Sequence, residues 1–488
     1  MKFNIPEEVV GIAEKLEKAK FKAYLVGGCV RDILIGREPK DWDIATNAKP
    51  EETQKIFKDS VYENKFGTVG VKTRSEKENL KIVEITTFRL ESEYTDKRHP
   101  DGVKFAKTIE EDLSRRDFTI NALALNLTKG EAGEMIDPHG GRKDLENKTI
   151  KAVGNADERF NEDALRLMRA VRFATELSFK IEQKTLEAVE KRAGLLEAIA
   201  KERIRDEFVK IIMALEAARG ILLLEKLGLL EYIIPELREG IGVAQNLHHI
   251  YTVFEHHIKS LDYAVKQNYS LEIRLTALLH DLGKPKTKYG EGYNATFHGH
   301  EMASAKMAAR ALERLRFSKD LIEKVVHLVR YHMFYYNVGE VSEAGVRRFL
   351  ARVGPENIDD LLKIREADRI GSGTPKAVPY KNRHLLFMIE KVKTDPISPK
   401  MLKVDGGSVM KIAGIEPGPK VGQILAVLLE EVLDDPAKNV RKDLESRIKD
   451  LAKLSEKELI ALAKKAKDKK EEFEVGAEEE MKKKYYVK

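Results

Sequence analysis

Residues 25–46 read LVGGCVRDILIGREPKDWDIAT. A strand-type apolar run ending at Val26 meets the pair Gly27-Gly28, and a short helical turn follows that carries Arg31 and Asp32. Glycines at such a strand-to-helix turn let backbone N–H groups approach a phosphate closely. Asp41 and Asp43 are flanked by strand-forming residues, and residues two apart in a strand project from one face. Together these carboxylates can hold one or two divalent cations. Glu84, in KIVEITTFR, is expected on a later strand and offers a third oxygen ligand. Three carboxylates around Mg²⁺ suit two-metal phosphoryl transfer, one ion activating a hydroxyl and the other stabilising a leaving pyrophosphate. A bare Asp-x-Asp more often marks two solvated acids at a strand end. Here the glycine pair upstream, Val30-Arg31-Asp32 between and Glu84 downstream turn the reading toward a metal site.

Outward from this stretch, Pro6–Lys20 reads as a helix and Pro50–Asp59 as another. Thr68–Thr73, Lys81–Phe88 and Ala122–Leu127 read as strands. This is a small mixed α/β domain ending near Asp144. From about Asn155 onward strand-type alternation nearly vanishes and Leu/Ala/Glu/Lys helices take over. The fold expected is therefore α+β and multidomain, with Gly and Pro clusters marking boundaries inside the helical part. The last residues, 467–488, mix blocks of both charges and read as a solvated helix or frayed tail.

The chain has 488 residues, enough to bury several cores without disulfides. Cys29 is the only cysteine, which excludes a disulfide scaffold or a thiolate zinc site. The 87 Lys+Arg against 81 Asp+Glu leave a net charge of +6, which permits a nucleic-acid partner without demanding one. No long uncharged run suggests a membrane span; the best, Ile221 to Leu230, is broken by Glu225 and Lys226. A cytoplasmic protein with no membrane partner is the expectation.

The Gly27-Gly28…Asp41-x-Asp43 block resembles the nucleotidyltransferase superfamily of DNA polymerase beta, specifically bacterial CCA-adding tRNA nucleotidyltransferases and their poly(A) polymerase relatives. FGTVGV at 66–71, SRRDFTINALAL at 114–125, IDPHGGRKDL at 136–145 and RFNEDALRLMRAVRFA at 159–174 follow in the family's order. The resemblance implies a nucleotidyltransferase head over 1–145, a helical neck and body over 146–240, and tRNA, CTP and ATP as substrates. It implies Asp41 and Asp43 as Mg²⁺ ligands with Glu84 assisting. Gly27, Gly28 and Arg31 would contact the triphosphate, Arg116 would be a further phosphate partner, and Asp117 would lie near the ribose.

Asn161–Ala174 reads as one helix, placing Asp163 and Arg166 side by side at i and i+3. The plain reading is an intrahelical ion pair worth a few tenths of a kcal/mol. The chemical alternative is base selection. Asp accepts from the exocyclic amine of cytosine or adenine, Arg donates to the ring acceptor, and uracil or guanine would leave both unpaired. In the family resembled, this helix is the amino-acid template for CTP and ATP. Arg169 and Arg172 continue along it, toward triphosphate, RNA backbone or solvent. Residues 91–105 resemble the family's flexible loop used in switching from C to A addition. Lys201, Glu202 and Arg203 fall where the family packs a helix near the nucleotide domain.

Most of the 12 histidines lie between 248 and 332. His256, His280-Asp281, His300, His332 and Asp368 form an ordered imidazole and carboxylate set suited to a divalent transition metal with an open position for water. This order resembles the HD phosphohydrolase domain, here over 241–375, followed by a helical C-terminal region over 376–488. The resemblance implies His256, His280, Asp281 and Asp368 as metal ligands, with His300 and His332 as candidates for a second ion. His248, His249, His257, His298 and His327 read as structural or supporting residues, and Lys284 as a phosphate contact or an exposed lysine. Two further readings stay open: a poly(A) polymerase that takes ATP only, and an HD-type phosphohydrolase whose head merely binds RNA.

Overall fold

The computed structural model describes residues 3–62, 67–90, 104–127, 133–246, 250–334, 336–374 and 376–466. The chain separates into two compact units, the first comprising Met1–Arg238 with Glu313–Phe317 and the second Glu239–Leu312 with the residues from Ser318 onward.

The first unit is built on β1 (Ala23–Val26), β2 (Asp43–Thr46), β3 (Ser60–Tyr62), β4 (Thr68–Lys72), β5 (Ile82–Thr87), β6 (Arg89–Leu90), β7 (Lys104–Phe105), β8 (Ala124–Asn126) and β9 (Met135–Ile136). Seven of these form one sheet in the order β3-β4-β5-β2-β1-β8-β9, while β6 and β7 make a separate ribbon. Only β2 and β5 pair in parallel within that sheet, and their register sets Asp43 directly against Glu84. Paired residues in a sheet share a face. On β5 that face carries exposed Glu84, whereas Val83, Ile85 and Thr87 point into the core. Helix Glu7–Lys18 buries Val9, Ile12, Ala13 and Leu16, a spacing that gives one apolar stripe. Tyr24, Val26, Phe88, Ile109 and Leu113 join in a core beside the sheet.

The expected strands at 68–73, 81–88 and 122–127 and the helices at 6–20 and 50–59 are all present, each slightly shorter. Two expectations are corrected. Asp41 does not lie on β2 with Asp43 but in the turn just before it. Nor is 161–174 one helix: it breaks between Ala156–Glu162 and Leu165–Glu176, with Asp163 extended at φ −137° and ψ 104°. The Asp163 side chain accepts a hydrogen bond from Leu165 N at 3.0 Å, the local bond by which an aspartate restarts a helix.

The second unit is helical. Helices Val253–Lys266 and Ile358–Gly371 pack together so closely that a Cβ on Gly371 would lie 2.1 Å from Ser260 Oγ and 3.1 Å from the His256 carbonyl. Further along, Val409, Ile424, Leu428, Val432, Leu444 and Ile448 close a core among helices Gly406–Ala413, Pro419–Asp434 and Arg441–Ala452.

Because Ser260 is buried and the clash involves backbone, Gly371→Ala should destabilise the second unit by about 1–3 kcal/mol. Urea denaturation of the full chain checks this; a change below about 0.5 kcal/mol would show that the two helices have slack between them.

Candidate active site and metal centre

Gly27 ends β1 at φ 76°, a left-handed conformation that favours glycine, and precedes helix Gly28–Leu34. A Cβ there would also meet Arg116 Nη1 at 2.8 Å and come within 3.6 Å of Asp43 Oδ2. A Cβ on Gly28 would lie 3.7 Å from Arg31 Nη2 and 3.9 Å from Asp41 Oδ1. The bare backbone of the two glycines thus lies among Asp41, Asp43, Arg31 and Arg116, with Glu84 opposite Asp43 on the neighbouring strand. Burial, with Asp41 and Glu84 adding like charge, pushes the Asp43 carboxyl up to about 7 against the pull of Arg116. Oxygen-only donors carrying excess negative charge match the demands of Mg²⁺. Cys29 is no rival centre: burial, then Asp43, pushes its thiol up to about 12, and its Sγ donates to the Val26 carbonyl.

Behind the glycines, Arg31 Nη1 donates to Asn121 Oδ1 at 2.9 Å, and Asn121 Nδ2 donates to Asp117 Oδ1 at 3.2 Å. The other Asp117 oxygen accepts from Arg169 Nε at 2.7 Å. Burial raises the Asp117 pKa, but Arg169 and Arg166 outweigh it and hold the carboxyl at about 2. Asp117 is therefore a buried anchor joining Asn121 to Arg169. Arg31, Arg169 and Arg172 all lie over the Phe173 ring, at 5.3, 5.2 and 4.2 Å from its centroid. Asn121 and Phe173 were not foreseen as site residues, although both fall inside the motif blocks quoted above.

Asp163 and Arg166 each have a protein partner of their own. Asp163 pairs with Arg203 at 2.8 Å, and Arg166 Nη1 donates to Glu162 at 2.6 Å while Nη2 donates to the Arg115 carbonyl at 3.2 Å. Arg172 faces inward, its Nη1 3.2 Å from Glu207. Residues 91–103, most of the expected switching loop, lie outside the described residues, as do Phe66, His248, His249 and 467–488.

In the second unit, His256, His280, Asp281 and Asp368 bring ligand atoms together, and Asp281, His300 and His332 form a second such group. Asp281 belongs to both. Its Oδ2 lies 3.2 Å from His256 Nε2 and 3.3 Å from His280 Nε2, while Oδ1 lies 3.3 Å from His300 Nε2 and 3.5 Å from His332 Nε2. One local device aims three of the imidazoles. Nδ1 of His280, His300 and His332 is bonded to the carbonyl three residues earlier, of Ala277, Phe297 and Val329, at 3.0, 2.7 and 2.7 Å. With Nδ1–H donated to a carbonyl, Nε2 carries the lone pair a metal takes. Neither Asp281 oxygen nor His300 Nε2 has a well-directed hydrogen bond despite burial. The donor set fits a divalent transition metal.

Burial, then the charges of His280 and His300, hold His332 down at about 4 although Asp281 pulls it upward. Burial would lower His280 too, but Asp281 and Asp368 raise it to about 9. Lys284 is not exposed: it is buried, with Nζ 2.6 Å from Asp281 Oδ2 and 2.7 Å from Gln245 Oε1. His257 is buried, and His327 Nε2 lies 2.6 Å from the Val353 carbonyl.

Residues 23–151 match the Poly A polymerase head domain, 178–241 the probable RNA and SrmB-binding site of polymerase A, and 253–371 the HD domain. A CCA-adding enzyme of Enterococcus faecalis is 34% identical over 450 residues, covering 90% of this chain and 94% of that protein. The chain belongs to the CCA-adding enzyme family of tRNA nucleotidyltransferases. Membership spans more than one named activity, because an A-adding tRNA nucleotidyltransferase of Deinococcus radiodurans is also 34% identical, over 84% of this chain and 91% of that protein. The crystal structure of the Bacillus stearothermophilus CCA-adding enzyme in complex with CTP superposes with a TM-score of 0.67 at 29% identity, covering 91% and 96% of the two chains. The Thermotoga maritima CCA-adding enzyme complexed with tRNA shares the fold at a TM-score of 0.55 and 19% identity. No described helix is long and apolar enough to cross a membrane.

The folded Asp43 keeps its proton up to about pH 7, whereas an unfolded aspartate releases it near 4, so in chelator the fold should lose stability as pH rises through that window. Calorimetry at pH 8 should find Asp43→Asn raising Tm in chelator, and Mg²⁺ raising Tm of the native chain far more than that of the variant. Equal Mg²⁺ shifts in both would place the cation elsewhere.

Proposed function

We propose that the chain adds C, C and A in turn to the 3′ end of tRNA from CTP and ATP, releasing pyrophosphate. The observation that carries this reading is the set Asp41, Asp43 and Glu84 facing the bare Gly27-Gly28 backbone, in a chain whose relatives at 34–35% identity over most of their length are CCA-adding enzymes. Asp41 and Asp43, with Glu84 assisting, would hold Mg²⁺. Bound there, the ions would lower the pKa of the attacking 3′-hydroxyl and stabilise the pyrophosphate that leaves. Gly27 and Gly28 admit the triphosphate close to the backbone, and Arg31 and Arg116 balance its charge. The bond formed joins the tRNA 3′ oxygen to the α-phosphorus; the bond broken releases pyrophosphate with its electron pair.

Asp163 and Arg166 would select the base. Each already has a protein partner, so a nucleotide that satisfies both must compete with Arg203 and Glu162. Cytosine and adenine offer the matching donor and acceptor edge. Uracil and guanine offer the reverse and leave two charges unsatisfied. Arg169, fixed by Asp117, holds the neck helix against the head and carries positive charge toward the nucleotide side. The division of labour proposed is a head over 1–145, a neck and body over 146–240, an HD domain over 241–375 and a C-terminal region over 376–488. In the HD domain His256, His280, Asp281 and Asp368 would hold a divalent transition metal, with Asp281, His300 and His332 open to a second. Such an ion supplies a hydroxide for phosphohydrolysis.

The similarity to an A-adding enzyme makes the product the thing to measure. Transfer RNAs ending at the discriminator base, at C and at CC should be incubated with Mg²⁺ and CTP, ATP or both, and resolved to single nucleotides. Growth by C, C and one A, reduced at least a hundredfold in Asp41→Ala, is the expected outcome. Extension only of the CC-ended tRNA would mean A addition alone, and repeated A addition would mean a poly(A) polymerase. Asp163→Ala should lower the preference for CTP over UTP at least about tenfold, read from kcat/KM.

A further inference from the structure

Helix Tyr380–Lys391 packs inward through Leu385, while the following Val392 joins the same core of Phe334, Tyr336, Phe349 and Leu350. Its outer side carries an unusual row. Tyr380, His384 and Phe387 follow at i, i+4 and i+7, one face of a helix. Successive ring centroids are 5.9 Å apart, so the three rings form a continuous ladder. Tyr380 is 61% exposed and Phe387 62% exposed, and Leu386 beside them is also exposed. The ladder is fixed from beneath, because the buried Tyr336 hydroxyl lies 2.6 Å from His384 Nδ1.

The charges around the ladder point the same way. Residues 376–393 contain Lys376, Lys381, Arg383, Lys391 and Lys393 against a single acid, Glu390. Glu390 pairs with Lys393 and Lys391 pairs with Glu343. Among the described residues Lys376, Lys381 and Arg383 form no ion pair with a carboxylate, and Lys381 donates only to Asn337 Oδ1. Rigid exposed rings interleaved with uncompensated cations are what a nucleic-acid strand recognises, the rings stacking on bases and the cations facing phosphates. A second copy of the same basic face would be repelled rather than attracted.

We infer that the Tyr380, His384 and Phe387 face with Lys381 and Arg383 is an RNA-contact surface, stacking unpaired or loop bases of the tRNA. This rests on the tRNA substrate proposed above. No step of nucleotide addition is assigned to these residues.

The test uses the full chain and a tRNA ending at the discriminator base. Fluorescence anisotropy should show the tRNA Kd rising about tenfold or more in Tyr380→Ala/Phe387→Ala. Aromatic replacement, Tyr380→Phe/Phe387→Tyr, should restore it, and the extension rate at saturating tRNA should stay unchanged. Photocrosslinks from 4-thiouridine tRNA should map to residues 380–391. Should circular dichroism find the double alanine variant misfolded, Lys381→Glu/Arg383→Glu on the exposed side gives the same comparison. A Kd within about twofold of the native chain in folded variants, with crosslinks elsewhere, overturns the inference. So does a change in oligomeric state with tRNA affinity untouched, which would make the face a self-contact. Failure of the two readings is separable. A native chain that extends tRNA while the variants bind normally fails this inference alone; a native chain that neither binds nor extends tRNA fails the function proposed above.

Discussion

A single buried carboxylate links the part of the head that would meet phosphate to the helix that would read a base. Asp117 receives Asn121, which receives Arg31 from the glycine turn, and on its other oxygen it receives Arg169 from helix Leu165–Glu176. Burying a carboxylate is costly unless charge and hydrogen bonds answer it, and here two arginines do. Removing the acid would leave Arg169 without its main counter-charge in the interior, so the anchor holds both parties. The three guanidiniums around Phe173 are tolerable for the same reason: Arg31 pairs with Asp32, Arg169 with Asp117 and Arg172 with Glu207.

The two metal-type sites solve opposite problems. In the head, burial first and then the like charge of Asp41 and Glu84 raise the Asp43 carboxyl. In the second unit, imidazoles outnumber carboxylates, and Lys284 lies inside against Asp281. Oxygen-rich excess negative charge suits a hard ion that exchanges with a substrate complex. Nitrogen donors aimed by their own backbone carbonyls suit a softer ion held by the protein. The aiming needs only a histidine closing a turn, at a helix C-terminus for His280 and His332 and at the start of a helix for His300, with a carbonyl three residues back.

Much of this was legible because the decisive chemistry is local in sequence. The glycine pair, Asp43 and the Glu84 strand are legible in spacing and strand patterning, with Asp41 falling just before its strand, and the ordered histidines in their clustering. What failed did so for physical reasons. Asp163 was placed on a continuous helix because the apolar spacing runs through it, yet its side chain prefers to bond a nearby backbone N–H and interrupts the turn. Lysine is rarely buried, so the sequence offers no sign that Lys284 lies inside, and only the fold brings Gln245, about forty residues away, to meet it. Asn121 had no signal of its own, since an asparagine is a relay only when its two neighbours in space are known.

The one parallel pairing in the large sheet has a consequence for the timing of the molecule's birth. Hairpins such as β3 with β4 can close as soon as they are made, but β2 must wait for β5, about forty residues later, before Asp43 meets Glu84. Long-range parallel pairing is slow to form. A nascent chain therefore makes its glycine turn and first two acids well before it owns the third, and a truncated product ending short of Glu84 lacks one carboxylate of the proposed metal site.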